Sequence, residues 1–196
     1  MNRRKIKKLV IETLGQKDIK SIYLTLGEQR AESLINPLFT SLCNTNEQVR
    51  WHGISVLGRV IKEIADRDLE DARVIMRRFL WMLNDESGGI GWGVPEAMAE
   101  AMVNQTTLAV EYVHMLVSYT LDDGPELCQQ GNFLELPFLQ RGVLWGLCRV
   151  SSKYRSLVQE HEIGKNMEPY FDSADACVVG LVCFLAEILE ITEYAE

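Results

Sequence analysis

Proline is scarce, five in 196 residues, and no Gly/Ser/Pro-rich stretch longer than a loop interrupts the chain. With nothing to serve as a linker, one domain is expected. No apolar run approaches the roughly 20 residues of a membrane-spanning helix. The longest, ACVVGLVCFLA at 176–186, suits a buried helix. The five cysteines (43, 128, 148, 177 and 183) are odd in number, with no C-x-x-C and no histidine at ligand spacing. That pattern indicates neither a disulfide framework nor a zinc site, and predicts reduced, mostly buried thiols. The three histidines, His52, His114 and His161, make no H-x-x-x-H or H-E-x-x-H, and no G-x-S-x-G elbow occurs. Adjacent acids at Asp85/Glu86 and Asp122/Asp123 fall in loops, where nothing implies the burial that would tune a carboxyl for proton transfer. No catalytic residue, metal or cofactor is expected.

What is present is 47% hydrophobic and 24% charged, an ordinary balance for a soluble globular protein. The charge is uneven. Residues 1–20 hold seven bases against two acids, and 159–196 hold one base against nine acids. The basic start precedes an apolar segment, as in a signal peptide. However, Glu12 interrupts that segment and no small-residue cleavage site follows, so a cytoplasmic location is expected. Ile6, Leu9, Val10, Thr13 and Leu14 make a helical stripe, and the lysines are its solvated face. The opposite charges of the two ends permit end-to-end self-association.

The dominant pattern is a recurrence of paired helical segments about forty residues apart. NPLFTSLC and NEQVRWHGISVLGRVIKEIA form the first pair; in the second member Val49, Gly53, Val56, Leu57, Val60 and Ile64 fall on one face. LEDARVIMRRFLWML and PEAMAEAMVNQ follow, then TLAVEYVHMLVSYTL and LPFLQRGVLWGLCRVSS. A weaker segment around YRSLVQEH and then DSADACVVGLVCFLAEILEI complete the series, and no segment reads as a strand. Second members align on a small residue: Gly53, Ala97, Gly142 and Gly180. Glycine in a helix interior costs about 1 kcal/mol relative to alanine, a loss that close approach of a neighbouring helix offsets.

These features predict an all-α fold, an α-α superhelix or short α-solenoid. About four helix pairs (29–66, 67–104, 105–152 and 153–196) follow N-terminal capping helices over 1–28. Each unit contacts only its neighbours, and second helices line the concave side. NEQVRWHGISVLGRV resembles the second helix of the HEAT-like repeats named for phycobilisome lyases, with Val49, Arg50, Gly53, Val56, Leu57 and Gly58 at the matching positions. The later repeats depart from it, carrying Leu139 or Cys177 where the arginine would stand. NDESGGIGWG and RGVLWG are similar to segments of a prokaryotic group of HEAT-like proteins without an established activity. These resemblances imply fold.

Two long connections offer a candidate site. NDESGGIGWGV surrounds Trp92 with Gly88, Gly89, Gly91 and Gly93, and Pro95 fits the first turn of the helix that follows. No strand precedes these glycines and no Lys-Ser/Thr follows, so a nucleotide-binding reading fails. Trp92 is expected to fold back onto the adjacent repeat or to meet a partner directly. DDGPELCQQGNFLE is the second connection. Stacking in register would bring Asp85, Glu86, Trp92, Asp122, Asp123, Asn132 and Glu135 to one edge. Arg50 and Arg141 stand near the starts of second helices, accompanied by Trp51, His52 and Trp145. Each arginine either faces a partner, bonds loop carbonyls, or pairs with an acid of the next unit, such as Glu96 or Asp175. Trp81 is expected to pack rather than to function.

The expectation that follows is a non-enzymatic interaction module whose concave face and acidic, aromatic edge hold a protein or peptide, including one with a basic segment. Two alternatives rest on resemblance. Some HEAT-like proteins remove alkylated DNA bases, but they grip phosphate through a basic face; this chain carries −13 outside its first twenty residues, which disfavours nucleic acid. The repeat subfamily's name alone suggests a cofactor lyase or chaperone.

Overall fold

The computed structural model describes residues 2–16, 18–84, 91–122, 124 and 131–191. Among these, every regular element is helical. The helices are α1 (Arg3–Leu14), α2 (Ile19–Gly27), α3 (Ala31–Leu42), α4 (Glu47–Arg67), α5 (Leu69–Asn84) and α6 (Val94–Asn104). They continue with α7 (Thr106–Ser118), α8 (Pro137–Gln159), α9 (Glu168–Phe171) and α10 (Ala176–Leu189), with a 3-10 turn at Ile163–Asn166 before α9.

Local chemistry sets the helix starts. Asp18, Asn46 and Asp175 cap α2, α4 and α10 by accepting backbone N–H bonds through their side chains. At α6 the cap is Gly93, whose φ of +69° is left-handed, a conformation that glycine adopts without a β-carbon penalty. Gly93 also lies against Leu42, so a side chain there would be both strained and crowded.

The packing has two layers. α4, α6, α8 and α10 form a continuous series in which each helix packs on the next, and α3, α5 and α7 lie on the other side of it. Leu57, Ile61, Met98, Ala101, Met102, Leu144, Leu147 and Val182 fill the core between the layers and are fully buried. Arginines tie the first helices together: Arg78 on α5 donates to Asn36 and lies over Phe39 of α3, and Arg73 pairs with Glu111 of α7.

Four expectations need correction. YRSLVQ is the tail of α8, set off by non-helical backbone at Tyr154, and is not the first helix of a last pair. That role falls to the single turn of α9, whose buried contact is Tyr170. Gly180 does not lie against a neighbouring helix: nothing stands within 4 Å of where its β-carbon would be. Trp81 is 70% exposed, because the buried face of α5 is set by Ala72, Ile75, Met76, Phe79 and Leu83, and Trp81 falls outside that stripe. Cys43, Cys177 and Cys183 are exposed too, so of the described thiols only Cys148 is buried. Cys128 lies outside the described residues.

The other small residues mark two different kinds of contact. Gly58 meets the α6 backbone, where a β-carbon would stand 2.8 Å from the Glu100 carbonyl carbon. Gly146 sits against Ala99 and Pro95 of α6. These are true helix-on-helix approaches. Gly53 makes room for the Ser41 hydroxyl and Gly142 for the Glu96 carboxylate.

Candidate functional site: a groove across the second helices

The N-terminal turns of α4, α6 and α8 lie side by side, and between them runs a groove of about 450 Å³. Helical spacing aims the lining. α4 supplies Glu47, Arg50 and Trp51; Trp92, Gly93 and Glu96 come from the entry to α6; α8 supplies Phe138, Arg141 and Trp145, with Leu181 of α10 closing the far side. Trp51 and Trp145 meet with ring centroids 5.0 Å apart, and Trp92 meets Phe138 at 5.1 Å, both tilted. Such pairs add about 1 kcal/mol beyond burial. Trp92 does fold back onto the next unit, yet stays 40% exposed.

Glu96 is the unusual group. It occupies the first turn of α6, where the positive end of the helix favours an acid. Its Oε2 is covered and has no hydrogen-bond partner. Desolvation raises its pKa above the ordinary carboxylate value, against the opposing effects of its own backbone N–H and of Arg50. Arg50 is itself incompletely satisfied: Nη2 reaches Glu47 at 3.4 Å, while Nε is buried without a partner. Arg141 is paired, since Nε and Nη2 both donate to Asp175 Oδ2, at 2.9 and 2.5 Å. That bond holds the Asp175 carboxyl below its usual range and fastens the α8 start to the α10 cap. Arg141 thus pairs with the expected Asp175, whereas Arg50 takes Glu47 of its own helix in place of Glu96.

Further along the helices the same face becomes a charged ladder. Arg59 lies over the Tyr23 ring at 4.6 Å. Arg149 Nε donates to Glu100 at 2.6 Å, and Lys153 donates to the Val103 carbonyl at 2.7 Å. A depression of about 570 Å³ beside them is lined by Tyr23, Arg59, Lys62, Glu63, Asp66 and Asn104.

The sequence-predicted residues therefore divide. Arg50, Trp92, Glu96 and Arg141 converge on one groove. His52 does not belong there: its Nδ1 is bonded to the Leu14 carbonyl at 2.8 Å, which commits it to the end of α1. Asn132 is tied to the end of α7, its N–H to the Ser118 carbonyl and its Nδ2 to the Ser118 hydroxyl. Asp122 accepts from the Gly124 N–H at 3.5 Å, and Glu135 is exposed in the approach to Phe138. Asp85, Glu86 and Asp123 lie outside the described residues. Phe138, Glu100, Arg149, Tyr23 and Arg59 were not anticipated. Their signal is periodicity: Arg141, Trp145 and Arg149 recur every four residues on α8, as Glu96, Glu100 and Asn104 do on α6. Among the described residues no cluster of His, Cys, Asp or Glu could hold a metal, and no helix is long and apolar enough to cross a membrane.

No family model and no curated protein matches the chain. Solved structures do. An engineered protein from a structural genomics consortium is similar with a TM-score of 0.50 at 13% identity, over 97% of this chain and 86% of that one. A designed armadillo repeat protein gives 0.49 at 16% identity, over 96% and 87%. One of a set of computationally designed armadillo repeat proteins for modular peptide recognition gives 0.49 at 11%, over 95% and 91%. At these identities the likeness is one of fold alone, an all-α stack of helix pairs.

Proposed function

We propose that the chain is a binding module without chemistry of its own, working as one unit of four helix pairs and N-terminal caps, and that its second-helix groove holds a protein or peptide segment through a basic side chain. The observation that carries this reading is Glu96. A carboxylate with a covered, unpartnered oxygen stands in a groove walled by Trp51, Trp145, Trp92 and Phe138. Aromatic faces attract cations by about 1–2 kcal/mol each when desolvated, and an ammonium or guanidinium group would supply the donor that Glu96 lacks. Arg141 is neutralised by Asp175 and Arg50 faces Glu47, so with Glu96 ionised these five side chains sum to one negative charge. Asp122 and Glu135, both exposed, extend the binding edge from Trp92 beyond the groove.

The test is tryptophan fluorescence and calorimetry with short extended peptides carrying lysine or arginine, against the same peptides with glutamate or norleucine. Basic peptides should bind, and Glu96→Gln or Trp145→Ala should weaken them about tenfold. Equal binding of basic and acidic peptides, or no change in the variants, would remove the groove from the function.

A further inference from the structure

α10 is apolar nearly all round, and such helices are normally covered on every side. Here only one side is. Val178, Val182, Leu185 and Leu189 are buried, whereas Cys177, Gly180, Cys183 and Phe184 face solvent, Phe184 at 51% exposure. Elsewhere in the layer Gly58 of α4 marks where the next helix, α6, lies, whereas Gly180 of α10 has nothing on it.

The other end of the stack carries a matching face. On α2 the buried residues are Ile22 and Leu26, while Leu24 is 75% exposed and the β-carbon position of Gly27 is open. Lys20 on α2 and Glu187 on α10 are exposed, and neither takes part in an ion pair among the described residues. Both faces are stripes of the same spacing: Lys20, Leu24 and Gly27 on one, Gly180, Phe184 and Glu187 on the other. Laid antiparallel, they complement each other. Lys20 comes opposite Glu187, Leu24 falls beside Cys183 and Phe184, and glycine meets glycine, which lets the backbones approach. Laid parallel, Lys20 falls on Gly180 and the charges miss. α10 against α10 supplies no cation and brings two acidic ends together, since 159–196 hold nine acids and one base. The basic 1–20 segment, with seven bases and two acids, favours the mixed pairing.

We propose that the open face of α10 docks on α2 of a second copy of this chain. The contact is head-to-tail, so each copy keeps one free end and association can continue. Two short helix faces bury less than the roughly 800 Å² per partner of a stable interface, so association is weak and concentration-dependent.

The test is sedimentation equilibrium of the full chain up to about 1 mM, at low and high salt, with Lys20→Glu, Glu187→Lys and both together. Average mass should rise with concentration beyond that of a dimer and fall with salt. Each single reversal should weaken association about fivefold, and the double reversal should restore it. Both positions are exposed, so the variants fold, which circular dichroism checks. A monomer at all concentrations would overturn the proposal. So would association that stops at a dimer, or singles that the double fails to rescue.

Discussion

The carboxylate of Glu96 occupies the space that a side chain on Gly142 would fill: a β-carbon there would stand 2.7 Å from Oε2. The glycine of α8 and the acid of α6 are thus one device, a pocket in the helix layer that leaves one carboxyl oxygen, Oε2, covered and without a hydrogen-bond partner.

That carboxyl should make stability depend on pH. Desolvation raises its folded pKa above 4.5. Below that range the group is protonated in both states and costs nothing. As pH rises, the unfolded chain ionises first, and stability is lost until the folded group ionises too. Urea titrations across pH should show wild type losing stability relative to Glu96→Gln from pH 4.5 upward. Within that window a basic ligand should bind with release of a proton. A difference that ignores pH would contradict the burial.

Three glycine-to-alanine substitutions should rank by what each new methyl meets. Gly58→Ala collides with the backbone of Glu100 and should cost about 2–3 kcal/mol. Gly142→Ala meets only the end of a flexible side chain, so about 1 kcal/mol or less is lost while Glu96 swings outward and basic-peptide binding changes. Gly180→Ala meets nothing and should gain about 0.5–1 kcal/mol in dilute solution. Chemical denaturation measures all three.

Arg149 and Glu100 join α8 to α6. Glu100 is 8% exposed, and losing the guanidinium leaves its carboxylate with Asn104 alone. Arg149→Met should cost about 2 kcal/mol, less than a fully buried pair because the arginine side chain is 40% exposed. Adding Glu100→Gln should recover part of the loss, and a double-mutant cycle reads the coupling.

Thiol labelling should separate the cysteines. Burial pushes the Cys148 thiol up to about 12, and its S–H points at the Leu181 carbonyl. Cys43, Cys177 and Cys183 should react with maleimide in minutes, and Cys148 only on unfolding, as peptide mass mapping would show.

The helical layers were legible because apolar spacing is a local property: Val49, Val56, Leu57, Val60 and Ile64 declare the buried face of α4 without any neighbour. The groove was legible in part. Arg50, Glu96 and Arg141 stand out as charges at helix starts, but which acid an arginine selects depends on distances between chain segments. Phe138 under Trp92 is likewise a meeting of two elements that no single stretch encodes. Gly180 misled for the same reason. A glycine shows that a helix could be approached, and only the neighbouring element shows whether it is. His52 sits among groove residues in sequence, yet on a helix one residue is about a hundred degrees of turn from the next, and that step sends it to α1.

The break at Tyr154 divides α8 into two allegiances. Before it, the helix is joined to α6 through Glu100 and Val103; beyond it, Arg155 pairs with Glu190 and Gln159 holds the Leu189 carbonyl. The tail at 155–159 is therefore held by the end of α10, while α10 itself stays fastened to the body of α8 through Arg141–Asp175 and the Cys148–Leu181 contact. Amide exchange would report protection at 155–159 that follows the end of α10 and not α6, a change of partner within one helix.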